Sequence, residues 1–86
     1  MTVTVSQIPF EARYDAEADV LYLRRVGRRE AAARTFATQE GHAVRYDSDG
    51  EIIGFTFVNV RRLVEAHEPL DTPEPIEADE LAPALR

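Results

Sequence analysis

The chain has 86 residues, a formal net charge of −6, ten arginines, no lysine and no cysteine. That length predicts one domain with a marginal core, and the missing cysteines exclude a disulfide framework and any thiolate zinc site. A small domain without such staples is expected to gain stability as a homodimer.

The opening "MTVTVSQIPF" has no basic leader region and no long apolar run. It reads as neither a signal peptide nor a membrane span, so a cytoplasmic bacterial protein is the expectation. The first structured element is "ARYDAEADVLYL", residues 12–23. β-formers flank a polar cluster there, which predicts a hairpin with Asp15 and Asp19 in its turn. "RRVGRR" follows, a basic cluster of Arg24, Arg25, Arg28 and Arg29 around a glycine. Such a cluster could contact phosphates, but no aromatic residue interleaves it and the chain as a whole is acidic. The plainer readings are a solvated hairpin end or a docking patch for an acidic surface. Next comes "GRREAAARTFATQEG". Its alanines favour helix by propensity alone; "RTFATQ" favours a strand, which is placed over residues 32–38.

"VRYDSDGEIIGF", residues 44–55, echoes the first hairpin. Asp49-Gly50 signals a two-residue type I′ turn, because both central positions need positive φ. The register that follows sets Tyr46 opposite Ile53, Val44 opposite Phe55, and His42 opposite Phe57. On the other face it sets Asp47 opposite Ile52, Arg45 opposite Gly54, and Ala43 opposite Thr56. One face is apolar and the other mixed, as in a half-buried sheet. Ile52, Val58 and Val60 fall on the second face and call for cover there by a helix or a partner. A helix over residues 60–67 is expected, with Asn59 as N-cap, Val60, Leu63 and Val64 on one stripe, and Pro69 beyond its end.

Residues 68–86 carry six acids and one arginine, and four of the five prolines. Like charges and missing backbone donors argue against a compact core there. The expected organisation is a β-rich domain over residues 3–67 and an acidic, proline-rich flexible tail over residues 68–86. Ile76, Leu81 and Leu85 in that tail could dock as a short helix on a partner. The fold class is α+β: an antiparallel β-meander of four to five strands (two hairpins), with one short C-terminal helix packed on the sheet.

The aspartate turns are the stretches most like chemistry. An EF-hand loop aligned on Gly50 puts Arg45 at its first position and Thr56 at its twelfth, so the calcium reading fails. Asp15, Asp19, Asp47 and Asp49 are read as turn-formers, through local hydrogen bonds to backbone. Exposed turns are poor places to raise a carboxyl pKa for acid–base work. His42 is expected at the rim of the hairpin and His67 at a helix C-terminus. No catalytic residue, metal or cofactor is assigned.

The pattern "YDAEADVLYLR", a spacer ending in Gly41, then "VRYDSDGEIIGFTFVNV" resembles the small bacterial family called domain of unknown function 2283. The matching positions are Tyr14, Asp15, Asp19, Leu21, Tyr22, Tyr46, Asp47, Asp49, Gly50, Ile52, Gly54 and Asn59. The resemblance implies a small β-rich fold with a helix, dimers, and no assigned activity. It also implies pairing with small toxin-like ribonucleases, hence an antitoxin-like role; the acidic tail is not part of the family pattern. The expected function is a non-enzymatic protein–protein interaction module. Two alternatives stay open: a nucleic-acid-binding or autoregulatory protein using the arginine cluster, and an enzyme or metal site at the aspartate turns.

Overall fold

A computed structural model describes residues 1–74 and 76–85. The strands β1 (Thr2–Val5), β2 (Ile8–Asp15), β3 (Val20–Arg25), β4 (Arg34–Ala37), β5 (Ala43–Tyr46) and β6 (Ile52–Val58) form one six-stranded sheet in the order β1-β2-β3-β6-β5-β4. All its pairings are antiparallel. After it come helix α1 (Val60–Glu65), a ribbon of β7 (Pro69–Leu70) with β8 (Ile76–Glu77), and a 3-10 helix, Ala78–Ala84. The expected antiparallel α+β architecture with a short packed helix is what forms.

The sheet is two three-stranded meanders joined along β3 and β6. The sequence echo explains the join. Leu23 and Phe55 end the two echoing stretches, and they face each other across the β3–β6 seam. A local pseudo-two-fold therefore passes between them. β1 is the strand that the sequence reading did not name. Its turn, Ser6-Gln7, has positive φ at both residues (51° and 68°) without a glycine or asparagine. The left-handed region costs roughly 1–2 kcal/mol per such residue. Glu80 helps to hold the turn, accepting the Ser6 amide at 3.0 Å.

The second hairpin departs from the expected turn but keeps most of the register. Val44 faces Phe55, Arg45 faces Gly54 and Ala43 faces Thr56, as expected. The loop, however, has three residues. The Asp47 amide donates to Glu51 O at 2.9 Å and the Gly50 amide to Asp47 O at 3.1 Å, with Gly50 at φ 83°. A bulge then pairs Tyr46 with Ile52 and leaves Ile53 as the extra residue. A three-residue loop with a left-handed glycine and a nearby bulge restores the two-residue register.

The bulge also changes the faces. Ile52 packs against the main cluster, and Val60 and Leu63 join that cluster beside Phe55 and Phe57. Among the described residues, α1 and the 3-10 helix cover the face that carries Phe55 and Phe57. α1 stops at Glu65, short of residue 67. Asn59 precedes it in the left-handed region with no side-chain cap. The cap comes from across the chain, where the Asp19 carboxylate accepts the Arg61 amide at 2.9 Å. Distal Asp19 thus meets an orphan donor of the first turn and suits the dipole.

The flexible-tail expectation is corrected. Leu70, Ile76, Ala78, Leu81, Ala84 and Leu85 are buried in the same core cluster as Phe10 and Leu21. The 3-10 helix packs on α1 and β1. Its apolar side chains enter the core, while Glu80 accepts the Ser6 and Glu77 amides and Asp79 stays exposed beside His67. Pro75 and Arg86, parts of the expected tail, lie outside the described residues.

Candidate functional site

At the second turn, Asp47 is 7% exposed and its Oδ1 accepts the amides of Asp49 (2.8 Å) and Glu51 (2.9 Å). Its Oδ2 is bonded by Arg28, which also grips Glu30 at 2.7 Å. The Glu51 amide bond, then the Arg28 contact, holds the Asp47 carboxyl below the usual range. At the first turn, Asp15 Oδ1 accepts the amides of Glu17 (3.1 Å) and Ala18 (3.2 Å). Asp19 Oδ1 accepts the Tyr14 hydroxyl at 2.7 Å as well as the Arg61 amide. That hydrogen bond pushes the Tyr14 phenol up. Asp49 is exposed, and no hydrogen bond of its carboxylate is found among the described residues. Asp47, Asp49 and Glu51 lie close enough to converge on a cation, but both oxygens of Asp47 are already spent.

The arginine cluster is distributed over neighbouring acids of the body. Arg24 pairs with Glu11 at 3.1 Å, Arg25 with Glu51 at 3.5 Å, and Arg28 with Glu30 and Asp47. Arg29 is exposed. The acidic tail takes no part in these pairs. Ile76, Leu81 and Leu85, read from sequence as partner-binding, are 1%, 0% and 9% exposed, so they serve the core and cannot reach a partner.

His42 is not at a rim. It is 1% exposed, with its ring 5.4 Å from Phe57. Its Nδ1 accepts the Val58 amide at 3.1 Å, and its Nε2 is buried without a hydrogen bond, 4.0 Å from Asp71. A bare Nδ1 means that the neutral ring carries its proton on Nε2. The ring therefore aims a donor, not a lone pair, at Glu40 and Asp71, although these three groups have the spacing of a metal cluster. Burial lowers the His42 pKa against the pull of Asp71 and Glu40. Burial also raises the Asp71 carboxyl, but bonds from the Thr38 hydroxyl and the Glu40 amide outweigh it and leave it low. His67 follows α1 and meets Asp79 at 3.0 Å.

On the sheet face away from the core, the sequence singles out Arg24 but not Arg45. Arg45 is half-buried there, donating to Thr56 Oγ1 (2.9 Å), Leu23 O (3.3 Å) and Phe55 O (3.2 Å). It lies over Gly54, where an added Cβ would meet its Nη2 at 2.7 Å. The signal was the register pair Arg45–Gly54, a glycine opposite a long side chain inside a strand. Arg13 sits 4.3 Å over the Tyr22 ring on the same face.

No helix among the described residues is long and apolar enough to cross a membrane. No curated protein and no solved structure matches the chain. A family model does, over residues 12–61, more than half of the chain. That span holds both Tyr-Asp turns, the Arg45–Gly54 pair and the start of α1. By that match the chain belongs to the family described as "Protein of unknown function (DUF2283)".

Proposed function

We propose that this chain is a non-enzymatic interaction module that offers an ordered acidic face to a basic protein, in the manner of an antitoxin toward a small ribonuclease. The observation that carries the reading is the segregation within the C-terminal layer. Its apolar residues enter the core, while Glu65, Glu68, Asp71, Glu74, Glu77 and Asp79 are all exposed. Fixed like charges on a rigid layer speed encounter with a basic surface and lend it specificity. The turn aspartates support the non-enzymatic half, since Asp15, Asp19 and Asp47 are engaged by backbone amides. The test uses the full chain, because truncation would remove core residues. Retention on an immobilised small basic ribonuclease is measured against salt for the wild type and for a Glu65→Gln/Glu68→Gln/Glu74→Gln variant. Salt-sensitive retention that the variant loses is expected. Equal behaviour of the two proteins sinks the proposal.

The same module pairs with a second copy through β4. Its four residues are all exposed, including Phe36 at 46%. Thr38 and His42 form a hydrogen-bonded pair at 2.8 Å in the β4–β5 register. By alternation the backbone groups of Thr35 and Ala37 point outward. An antiparallel copy centred on Phe36 pairs Thr35 with Ala37 of the second copy and sets the two Phe36 rings side by side. It also brings the Arg34 end of each strand toward the Glu40–Asp71 end of the other. Ala37→Pro deletes an outward donor without touching β5. Sedimentation should show a dimer for the wild type and a folded monomer for the variant; a monomeric wild type refutes the pairing.

A further inference from the structure

We propose that the open sheet face binds a small multivalent oxyanion, a phosphate or a polycarboxylate, in the concavity beside Gly54 among Arg13, Arg24 and Arg45. Gly54 faces Arg24 on β3 and Arg45 on β5. With strands about 4.8 Å apart, the backbones of the two arginines lie roughly 10 Å from each other, and the Arg45 guanidinium folds back over Gly54 between them. Beside it is a concavity of about 440 Å³ whose lining includes Glu11, Arg13, Tyr22, Leu23, Arg24 and Arg45. That volume suits a phosphate or a small polyacid.

The charge argument is independent of the shape. Arg45 is half-buried and bonds two carbonyls and a hydroxyl, but no carboxylate among the described residues. Arg13 has an aromatic partner and no ion pair among the described residues. Arg24 has the single counter-ion of the group, Glu11. A chain of net charge −6 therefore holds a locally positive concavity. The exposed acids of residues 65–79 ride on the layer covering the opposite face, with the sheet between them and Gly54. Screening over a Debye length of about 8 Å at physiological salt separates the two fields. Burial disfavours the charged Arg45, which an arriving anion would relieve. Bonds from a guanidinium to an oxyanion are charge-assisted and bidentate, so Arg24 and Arg45 act as a clamp, with Tyr22 and Leu23 in the lining.

The test is a titration of the full chain with pyrophosphate and, separately, with citrate at low salt. Amide shifts and calorimetry are the readouts, and chloride at matched ionic strength is the control. Saturable binding that moves the Gly54, Leu23 and Thr56 amides is expected. Arg24→Gln should weaken it roughly tenfold, since Arg24 is exposed and its loss leaves the fold intact. Arg62→Gln, an exposed residue of α1 on the covered side of the sheet, should change nothing. Arg45→Lys keeps the charge and loses the fork, and should weaken pyrophosphate more than citrate. The ratio of the two affinities identifies the source of the oxyanion. Shifts that do not saturate, that chloride reproduces, or that Arg24→Gln leaves intact overturn the proposal.

Discussion

The two halves of the sheet share a plan and differ in their cover. β1-β2-β3 lies beneath the 3-10 helix, which packs on β1 and β2. Its Val3, Val5, Phe10, Leu21 and Leu23 are buried. β4-β5-β6 is finished on one side only: β6 is deep in the core, while β4 is exposed throughout. The echoing turns follow the same division. Asp15 serves an exposed bend with two amides, whereas Asp47 is buried and holds two amides and an arginine. A repeated motif thus fixes the bend of the backbone, and its surroundings decide how much stability rests on it.

The contrast can be broken at its strongest point by Leu81→Ala. Leu81 is fully buried, so the substitution should destabilise by about 2–5 kcal/mol in urea unfolding. That is a large fraction of the 5–15 kcal/mol typical of a domain. A loss below about 1 kcal/mol would mean that the layer is only loosely docked. Next come the paired turn variants. Asp47→Asn should lower the urea midpoint clearly more than Asp15→Asn, and equal effects would erase the distinction between the turns. The gap should depend on pH with a fixed sign. Asp47 is held below its ordinary value, so its contribution is present above about pH 4 and is lost as pH falls through the lower folded value. The first half can be improved where the second cannot. Ser6→Asn with Gln7→Gly relieves two left-handed residues and should stabilise by about 1 kcal/mol. No gain would mean that Glu80 already offsets the strain. The smallest effect belongs to Phe36→Ala in dilute, monomeric protein. An exposed edge residue should change stability by no more than about 0.5 kcal/mol, while the variant weakens self-association at high concentration.

Legibility in the sequence followed the strength of local signals. Alternation across residues 42–57 was enough to set Val44 against Phe55 and Arg45 against Gly54. The bulge at Ile53 escaped, because a longer loop plus a bulge and a shorter loop without one present the same far register. β1 escaped because Ser6-Gln7 lacks the residues that normally mark a tight turn. Residues 68–85 escaped for a different reason. Proline and charge were read as signs of disorder, yet Leu70, Ile76 and Leu81 needed only an existing apolar surface, which no local pattern reveals. The cap on α1 was equally hidden: Asp19 reaches an amide forty-two residues away. Of the candidate site residues, the aspartates were legible as turn-formers; Arg45 was not, because its importance arises only once Gly54 is beside it.

The bond from the Ser6 amide to Glu80 joins positions seventy-four residues apart. During synthesis the first bend has only the β1–β2 pairing to hold it until nearly all of this sequence has left the ribosome. Closure of that contact is then a late event. A ribosome-stalled intermediate lacking residue 80 should keep its central strands paired while β1 exchanges its amide protons freely.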